Sequence, residues 1–193
     1  MRKNLLLAIA FALGIWAYLL MYAAASARQN TGNRSPLSDP EDGITVLFSP
    51  SGGCTNALVA EINKATKTLD IEAYSFTSAP IADAVAAAFD RGVRVRLVVD
   101  KVRRTERASS VNFFISHHIT VFVDDKHTIA HNKVMMIDGR TLITGSFNFT
   151  KDSEDKNAEN LLIIHDRPKL LGSYGGDFER HLAHSVPINP PGV

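Results

Sequence analysis

The stretch from residue 131 to residue 159 reads HNKVMMIDGRTLITGSFNFTKDSEDKNAE and decides how the rest of the chain is interpreted. It contains two short β-rich runs, 134–137 and 142–144. Between them lies Asp138-Gly139-Arg140, a turn sequence typical of β-hairpins. The sequence therefore predicts a hairpin with polar residues at its open end.

Four polar side chains of this hairpin predict its chemistry. Residues two apart on a strand point to the same face, so His131 should project together with Lys133, and Ser146 with Asn148. The lysine supplies positive charge, the hydroxyl and carboxamide supply neutral donors, and an imidazole acts as nucleophile or proton carrier near neutral pH. This set suits an anionic tetrahedral group, and we expect a phosphodiester.

The spacing of these residues, His-x-Lys-x4-Asp-x6-Gly-Ser-x-Asn, resembles the signature of the phospholipase D superfamily. The segments 145–150 (GSFNFT) and 156–160 (KNAEN) are similar to its small bacterial endonuclease branch, and so are 46–50 (VLFSP) and 73–78 (AYSFTS). The resemblance extends over roughly residues 43 to 185 and leaves out the N-terminus.

The resemblance implies a role for each signature residue. His131 would attack phosphorus and form a phosphohistidine that water hydrolyses, while Glu159 would hold the imidazole ring by its other nitrogen. Lys133 and Asn148 would surround the phosphate oxygens. The implied catalytic residues are His131, Lys133, Ser146, Asn148 and Glu159, and the residues expected to be structural within the motif are Asp138 and Gly145.

A single copy of the signature occurs in the chain, whereas superfamily members with two copies assemble their site between them. A second histidine must protonate the leaving alkoxide. In-line displacement places that acid on the opposite side of phosphorus from the attacking histidine. We therefore expect a homodimer whose two-fold axis brings His131 of both subunits to one phosphate.

The first 27 residues are typical of an export segment. Arg2 and Lys3 precede an uncharged stretch, 5–25, which ends in the small-x-small pattern 25–27. Because the stretch is long enough to cross a bilayer, we expect either a signal peptide cleaved after Ala27 or a retained membrane anchor. Either way, the positive-inside tendency leaves the domain on the periplasmic side, free or anchored to the inner membrane.

Charge gives little support for nucleic-acid binding by the chain as a whole, which has 21 basic and 20 acidic residues. Attraction has to come from a local patch. Such a patch follows the carboxyl end of a predicted strand, where α/β sheets tend to bind ligands. Its residues are Lys101, Arg103, Arg104 and Arg107. No zinc-finger or helix-turn-helix motif is present, which suits cutting without sequence preference.

Metal binding is not predicted. Cys54 is the sole cysteine, which excludes multi-cysteine sites, and we expect it to be buried. His127 and His131 have the spacing of a helical metal pair, but the flanking strands argue against a helix. Surface or satisfied core positions are expected for His117, His118, His165, His181 and His184. We predict no cofactor.

Apolar runs and amphipathic segments alternate, which predicts an α/β fold with a mixed, mostly parallel sheet sandwiched between helices. The resemblance implies the same three-layer fold. Strands are expected at 44–48, 69–76, 93–99, 120–123, 134–137, 142–144 and 161–164, and helices around Leu58 to Ala65, from Pro80 to Arg91, at 106–117 and at 170–184 with an interruption at Gly175-Gly176. The expected domains are the export segment 1–27, a linker 28–42, the phospholipase D-like domain 43–185 and a tail 186–193.

We predict an exported, homodimeric, metal-independent phosphodiesterase that acts as a non-specific endonuclease on DNA, with RNA as a further candidate substrate. An alternative is a phospholipase D-type lipid hydrolase, held at the membrane through residues 5–25. The last alternative is an inactive nucleic-acid-binding module. It is the weaker one, because every residue of the catalytic signature is present in the sequence.

Overall fold

The computed structural model describes residues 37–39, 43–104 and 109–188, and within them the chain forms one nine-stranded sheet with helices on both faces. The strands are β1 (Leu37–Asp39), β2 (Ile44–Phe48), β3 (Thr68–Ala73), β4 (Arg94–Asp100), β5 (Val121–Asp124), β6 (Lys133–Ile137), β7 (Thr141–Gly145), β8 (Asn160–His165) and β9 (Val186–Ile188). The helices are α1 (Cys54–Asn63), α2 (Ala79–Asp90), α3 (Val111–Ser116), α4 (Lys151–Asp155) and α5 (Pro168–His184), and a 3-10 turn covers Lys101–Arg104.

The strand order is β1-β2-β8-β7-β6-β3-β4-β5-β9. The mixed sheet between helices confirms the predicted fold class, but the expectation of a mostly parallel sheet is wrong. Among the described strands only β3–β4 and β4–β5 pair in parallel. A parallel pair needs a crossover connection, and α2 and α3 provide one for each of these two pairs. The hairpin β6–β7 and its neighbours run antiparallel instead.

Two apolar clusters cover the two faces of the sheet. The larger one packs α1, α2 and α3 against one face, through side chains such as Leu58, Val85 and Phe114. The smaller one packs α5 against the other face, through Leu171 and Phe178. Alternation along β6 shows the division, since Met135 belongs to the first cluster and Met136 to the second.

The sheet extends beyond both predicted ends of the domain. β1 lies in the expected linker and pairs with β2, and β9 lies in the expected tail and pairs with β5. Pro187 lacks an N–H and sits in β9, an edge strand, where a missing donor is tolerated. The paired part of the chain therefore reaches Ile188 rather than ending at residue 185.

Helix α5 differs from the prediction because it continues without a break through Gly175 and Gly176. A helical glycine costs about 1 kcal/mol relative to alanine. The burial of Leu171 and Phe178 on either side offsets that cost. The helix expected at 106–117 begins at Val111, with 105–108 outside the described residues, and α4 was not predicted.

Cys54 is fully buried at the start of α1, as expected. Burial raises the pKa of its thiol to about 12, and the charge of Glu154 adds to this. The export segment 1–27 lies outside the described residues. Among the helices that the structure does describe, none combines the length and apolarity needed to cross a bilayer.

Candidate active site

All signature residues except Asp138 lie at one end of four neighbouring strands. β3 and β7 end there, at Ala73 and Gly145, while β6 and β8 begin there, at Lys133 and Asn160. Ala73 pairs with Lys133 across β3 and β6, and Gly145 pairs with Leu161 across β7 and β8. The antiparallel register therefore brings segments far apart in the sequence to one place.

His131 and Lys133 project to the same side, as their spacing predicted. The Nζ atom of Lys133 lies 3.0 Å from Nδ1 of His131 and donates to the His131 carbonyl oxygen at 2.8 Å. His131 is exposed, whereas Lys133 is buried. Because an ammonium group can only donate, Nδ1 accepts, and a neutral ring carries its proton on Nε2.

Tyr74 packs against both residues and was not singled out as a site residue by the sequence analysis. Its ring centroid lies 4.4 Å from that of His131, and Lys133 Nζ lies 5.1 Å from the centre of the tyrosine ring. A cation at this distance is attracted by the ring quadrupole. The tyrosine follows the last residue of β3, so the signal available in the sequence was its position next to a strand end.

Gly145 allows β7 and β8 to approach closely. Its φ of +149° is unfavourable for other residues, and a Cβ atom there would lie 2.3 Å from the backbone oxygen of Asn160. After the glycine, Phe147 and Phe149 are buried, which leaves Ser146 and Asn148 on the solvent side. The predicted common face of Ser146 and Asn148 thus follows from two buried phenylalanines.

The carboxylate of Glu159 contacts Ser146 and Asn157 in this chain. Ser146 Oγ donates to one oxygen at 2.5 Å, and Asn157 Nδ2 donates to the other at 3.1 Å. Ser49 holds the backbone of residues 157–159. Its Oγ donates to the Asn157 carbonyl at 3.0 Å and accepts from the Glu159 N–H at 3.2 Å. None of these hydrogen bonds joins Glu159 to the His131 ring, the contact that the sequence predicts.

Asn148 presents a polar atom without a partner. Its Oδ1 is buried and has no hydrogen-bond partner among the residues that the structure describes. Asn148 lines an open cleft of about 430 Å³ with Tyr74, Thr77, Thr150 and Lys151. Tyr74 contacts His131 and Lys133 on one side and lines this cleft with Asn148, so it connects the two halves of the signature.

Asp138 ties the hairpin turn to the loop before β3. It accepts from Thr66 N–H and Oγ1, at 2.9 and 2.8 Å, and from the N–H groups of Lys67 and Thr68, at 2.8 and 2.9 Å. Burial acts to raise the pKa of Asp138, but these hydrogen bonds outweigh it and hold the pKa below its usual range. The contacts of Asp138 are those of a structural residue.

Glu72 lies behind the loop that carries His131. Asn132 Nδ2 donates to its Oε2 at 2.8 Å, and its Oε1 is buried without a hydrogen-bond partner among the described residues. Burial raises the pKa of Glu72, although the charge of His181 and the hydrogen bond from Asn132 act the other way. No local sequence pattern around Glu72 indicates its contact with Asn132.

Of the predicted nucleic-acid contacts, only Lys101 has a described side chain. It is exposed and donates to the carbonyl of His127 at 2.8 Å. Arg103 and Arg104 lie in the 3-10 turn, with side chains outside the described part, and Arg107 lies outside the described residues. The patch therefore stays a prediction.

The histidine pair 127 and 131 does not form a shared site. The His127 ring is directed instead to Asp124, together with the rings of His181 and His184. The sequence analysis expected His181 and His184 at surface or satisfied core positions. The structure places them in a polar cluster that the signature does not include.

Comparison with known proteins agrees with this geometry. Residues 58–182 match the family described as "Cardiolipin synthase, PLD-like domain". The chain is 37% identical over 153 residues to a phospholipase D of Rickettsia prowazekii, which covers 79% of this chain and 73% of that protein. It is 35% identical to a mitochondrial cardiolipin hydrolase of Chlamydomonas reinhardtii over 62% of this chain and 53% of that protein.

Among solved structures, the chain resembles Nuc of Salmonella typhimurium, a phospholipase D family member. The TM-score is 0.72 at 34% identity, and the match covers 76% of this chain and 97% of Nuc. The matched family covers more than half of the chain, and it includes every residue of the signature. The chain therefore belongs to the phospholipase D superfamily and is a phosphodiesterase of that superfamily.

Proposed function

We propose that the chain is an exported endonuclease that cleaves DNA, and RNA as a second substrate, through a phosphohistidine on His131. The observation that carries this proposal is the polar, open cleft lined by Tyr74, whose ring packs against His131, and by Asn148, Thr150, Lys151 and Asp152. A polynucleotide backbone presents phosphates along an extended strand, so an open cleft that offers amide, hydroxyl and ammonium groups suits it. The likeness to the small bacterial endonuclease branch agrees with this choice.

The reaction follows from the donors at the site. A phosphate oxygen would compete with Nδ1 of His131 for the ammonium group of Lys133, and the Asn148 amide would donate a further neutral hydrogen bond through Nδ2. Attack by Nε2 needs its lone pair, so the ring proton has to move to Nδ1 and find an acceptor there. Lys133 cannot accept it, and a carboxylate is the suitable partner.

A homodimer would supply the acid, and it would bring a second Glu159 carboxylate to the site. Within one chain the side-chain hydrogen bonds of Glu159 go to Ser146 and Asn157. In a two-fold assembly through the strand ends that carry the site, His131 of one subunit would attack phosphorus. His131 of the other subunit would protonate the leaving oxygen. The carboxylate of either subunit would then be available to a ring across the axis.

Lipid hydrolysis is the second candidate, and two observations favour it. The relatives are named phospholipase D and mitochondrial cardiolipin hydrolase. In addition, Ile129 is 57% exposed two residues before His131, and Val102 is 51% exposed in the neighbouring turn. Exposed apolar side chains beside a site are suited to contact with a lipid surface. The phosphodiester chemistry is the same for both substrates.

The deciding experiment uses the purified full chain in mild detergent, incubated separately with plasmid DNA and with vesicles of phosphatidylglycerol and cardiolipin. We expect nicked and then linear plasmid, no loss of lipid, and no reaction with His131→Ala. His165→Ala is the matched control, since His165 contacts Thr141 on another part of the sheet. Hydrolysis of lipid alone would overturn the nuclease proposal and leave the superfamily assignment intact.

Export is the remaining part of the proposal and rests on residues 1–27. We expect a mature chain that begins at Arg28 and is released from the periplasm by osmotic shock. Recovery of the full-length chain in the membrane fraction alone would favour the anchor formed by residues 5–25.

A further inference from the structure

Four side chains outside the signature converge at the end of β5. Asp124 is the last residue of β5, and His127 follows three positions later in the turn. His181 and His184 share one face of α5 near its end, because residues three apart on a helix are neighbours. β9 follows α5 and pairs with β5, which brings the end of the helix back to Asp124.

One oxygen of Asp124 faces all three imidazoles. Oδ2 lies 2.8 Å from His127 Nδ1, 2.8 Å from His181 Nδ1 and 3.2 Å from His184 Nε2. Its other oxygen is occupied by the backbone N–H groups of Lys126 and His127, at 3.1 and 3.2 Å. Asp124 is fully buried, so the group at the centre of the cluster is shielded from water.

Hydrogen bonding accounts for only part of this arrangement. A carboxylate oxygen has two lone pairs, and the contacts from His127 and His181 already use them. His184 Nε2 is buried and, despite its closeness to Oδ2, makes no hydrogen bond within the described part of the chain. Three nitrogens and one oxygen thus lie within 4.8 Å of one another, and one of the nitrogens lacks a hydrogen-bond partner.

We propose that Asp124, His127, His181 and His184 bind one divalent transition-metal ion, with Zn²⁺ as the best match. Three imidazole nitrogens and a carboxylate oxygen are ligands that Zn²⁺ accepts in a tetrahedral arrangement. With bonds of about 2.0–2.1 Å, adjacent ligand atoms of a tetrahedron lie about 3.3 Å apart. The spacings of 2.8 to 3.2 Å around Oδ2 come close to that edge.

The surroundings of the cluster suit a bound cation. Asp177 Oδ2 lies 3.8 Å from the other nitrogen of the His181 ring, beyond hydrogen-bond distance but on the side from which a carboxylate can orient a metal-binding histidine. Glu72 lies close to His181 and Asp177 and adds a buried carboxyl group. Lys126 and Arg180 also line the open cleft of about 480 Å³, and Arg180 is paired with Asp177 at 2.6 Å. The charge of Arg180 is therefore offset by that of Asp177.

Four protein ligands would leave no open position, so the proposed role of the ion is structural. The site would join α5 to the turn that leads from β5 to His131. That turn is held on its other side by Asp100, which accepts from the Ala130 N–H at 2.6 Å, and by Lys101, which donates to the His127 carbonyl. The ion would thus stabilise the turn that precedes His131 without taking part in phosphoryl transfer.

The test uses the full chain, purified without a polyhistidine tag and stripped with a chelator. We expect it to bind one Zn²⁺ per chain, to retain it through gel filtration, and to melt at a higher temperature with Zn²⁺ than without. Co²⁺ used as a probe should give the visible absorption of a tetrahedral site. Failure of the stripped wild-type chain to bind either ion at micromolar concentration would overturn the proposal.

Variants locate the site. His127→Ala and His184→Ala should each weaken Zn²⁺ binding at least about 100-fold and abolish the thermal shift, because each removes a ligand. His127 is 45% exposed, so its replacement leaves the core intact. His165→Ala should bind the metal like the wild type. Equal binding by wild type and the folded His127→Ala and His184→Ala chains would show that the metal lies elsewhere and would refute the site.

Discussion

The ammonium group of Lys133 lies 3.0 Å from Nδ1 of His131, while the carboxylate of Glu159 is hydrogen-bonded to Ser146 at 2.5 Å. Nδ1 of the imidazole therefore faces a hydrogen-bond donor, the Lys133 ammonium group. In the proposed mechanism, substrate binding draws Lys133 away from the ring before Nε2 attacks. The lysine would then have two partners in turn, the ring and the phosphate.

The first prediction concerns this lysine. Lys133→Gln keeps a hydrogen-bond donor near the ring but removes the charge that a phosphate oxygen needs, so kcat should fall by about 10²–10³-fold. The lysine is buried, and its tyrosine contact is lost too, so the variant must be shown to fold by circular dichroism. A folded variant with wild-type kcat would exclude Lys133 from transition-state stabilisation.

The second prediction concerns the approach of β7 to β8. In Gly145→Ala the new Cβ would meet the Asn160 carbonyl oxygen at 2.3 Å, at a φ of +149°. We expect a loss of about 3 kcal/mol, or roughly 6–12 °C in Tm. Gly139→Ala is the matched control in the same hairpin, with a φ of +65° and no atom within 4 Å, and should cost about 1 kcal/mol. Equal losses in thermal melts would contradict the close-contact argument.

The third prediction concerns pH and Asp138. Its folded pKa is depressed, so its stabilisation is fully present above the unfolded value of about 3.9 and is lost as pH falls through the folded pKa. At pH 7, Asp138→Asn should lose about 2 kcal/mol, since an amide cannot accept all of the donated hydrogen bonds. The gap between variant and wild type should narrow below about pH 3.9. Denaturant unfolding across pH measures it, and Asp83→Asn, at an exposed site on α2, should show no gap at pH 7.

Local features of this molecule could be predicted from its sequence, whereas the pairing of its strands could not. Two-residue alternation in the sequence predicts the hairpin directly. It also predicts that His131 shares a face with Lys133, and Ser146 with Asn148. Strand direction depends instead on which strands become neighbours. The alternation of strands and helices suggested parallel pairs, but the chain returns through the antiparallel hairpin and pairs β6 with β3.

Contacts made through the tertiary fold were also missed. Tyr74 and Glu72 lie close to His131 and its neighbour Asn132 because β3 and β6 are adjacent, a pairing that no local pattern expresses. Asp124 and His184 are 60 positions apart in the sequence and meet only because β9 pairs with β5. Sequence spacing pairs His127 with His131 and gives no sign that His181 and His184 lie beside His127.

The fourth prediction separates catalysis from stability. Lys133, Asn148 and the histidines supply the charge and donors that a metal would otherwise provide, so the initial rate at 25 °C should persist in excess EDTA. If the ion proposed at Asp124 is removed, Tm should fall while that rate is kept. Mg²⁺ prefers oxygen ligands and does not suit a three-histidine site. A rate abolished by EDTA and restored by Mg²⁺ would therefore contradict the metal-independent mechanism.

The last prediction tests the shared site. His131→Ala and wild-type chains, mixed in equal amounts, are unfolded and refolded together so that dimers form at random. A site that needs both imidazoles exists only in wild-type pairs, which are about a quarter of all dimers. The activity should therefore fall to about a quarter of that of the same total amount of wild-type chain.

A site complete within one chain would instead retain about half of the activity, because each wild-type chain would act regardless of its partner. Refolding efficiency is controlled by mixing wild type with His165→Ala, which should keep the full rate, since His165 bonds Thr141 rather than a signature residue. A series of mixing ratios then distinguishes the two cases by shape. A decline with the square of the wild-type fraction requires two histidines at one phosphate, whereas a linear decline would remove the shared site even if His131 is essential.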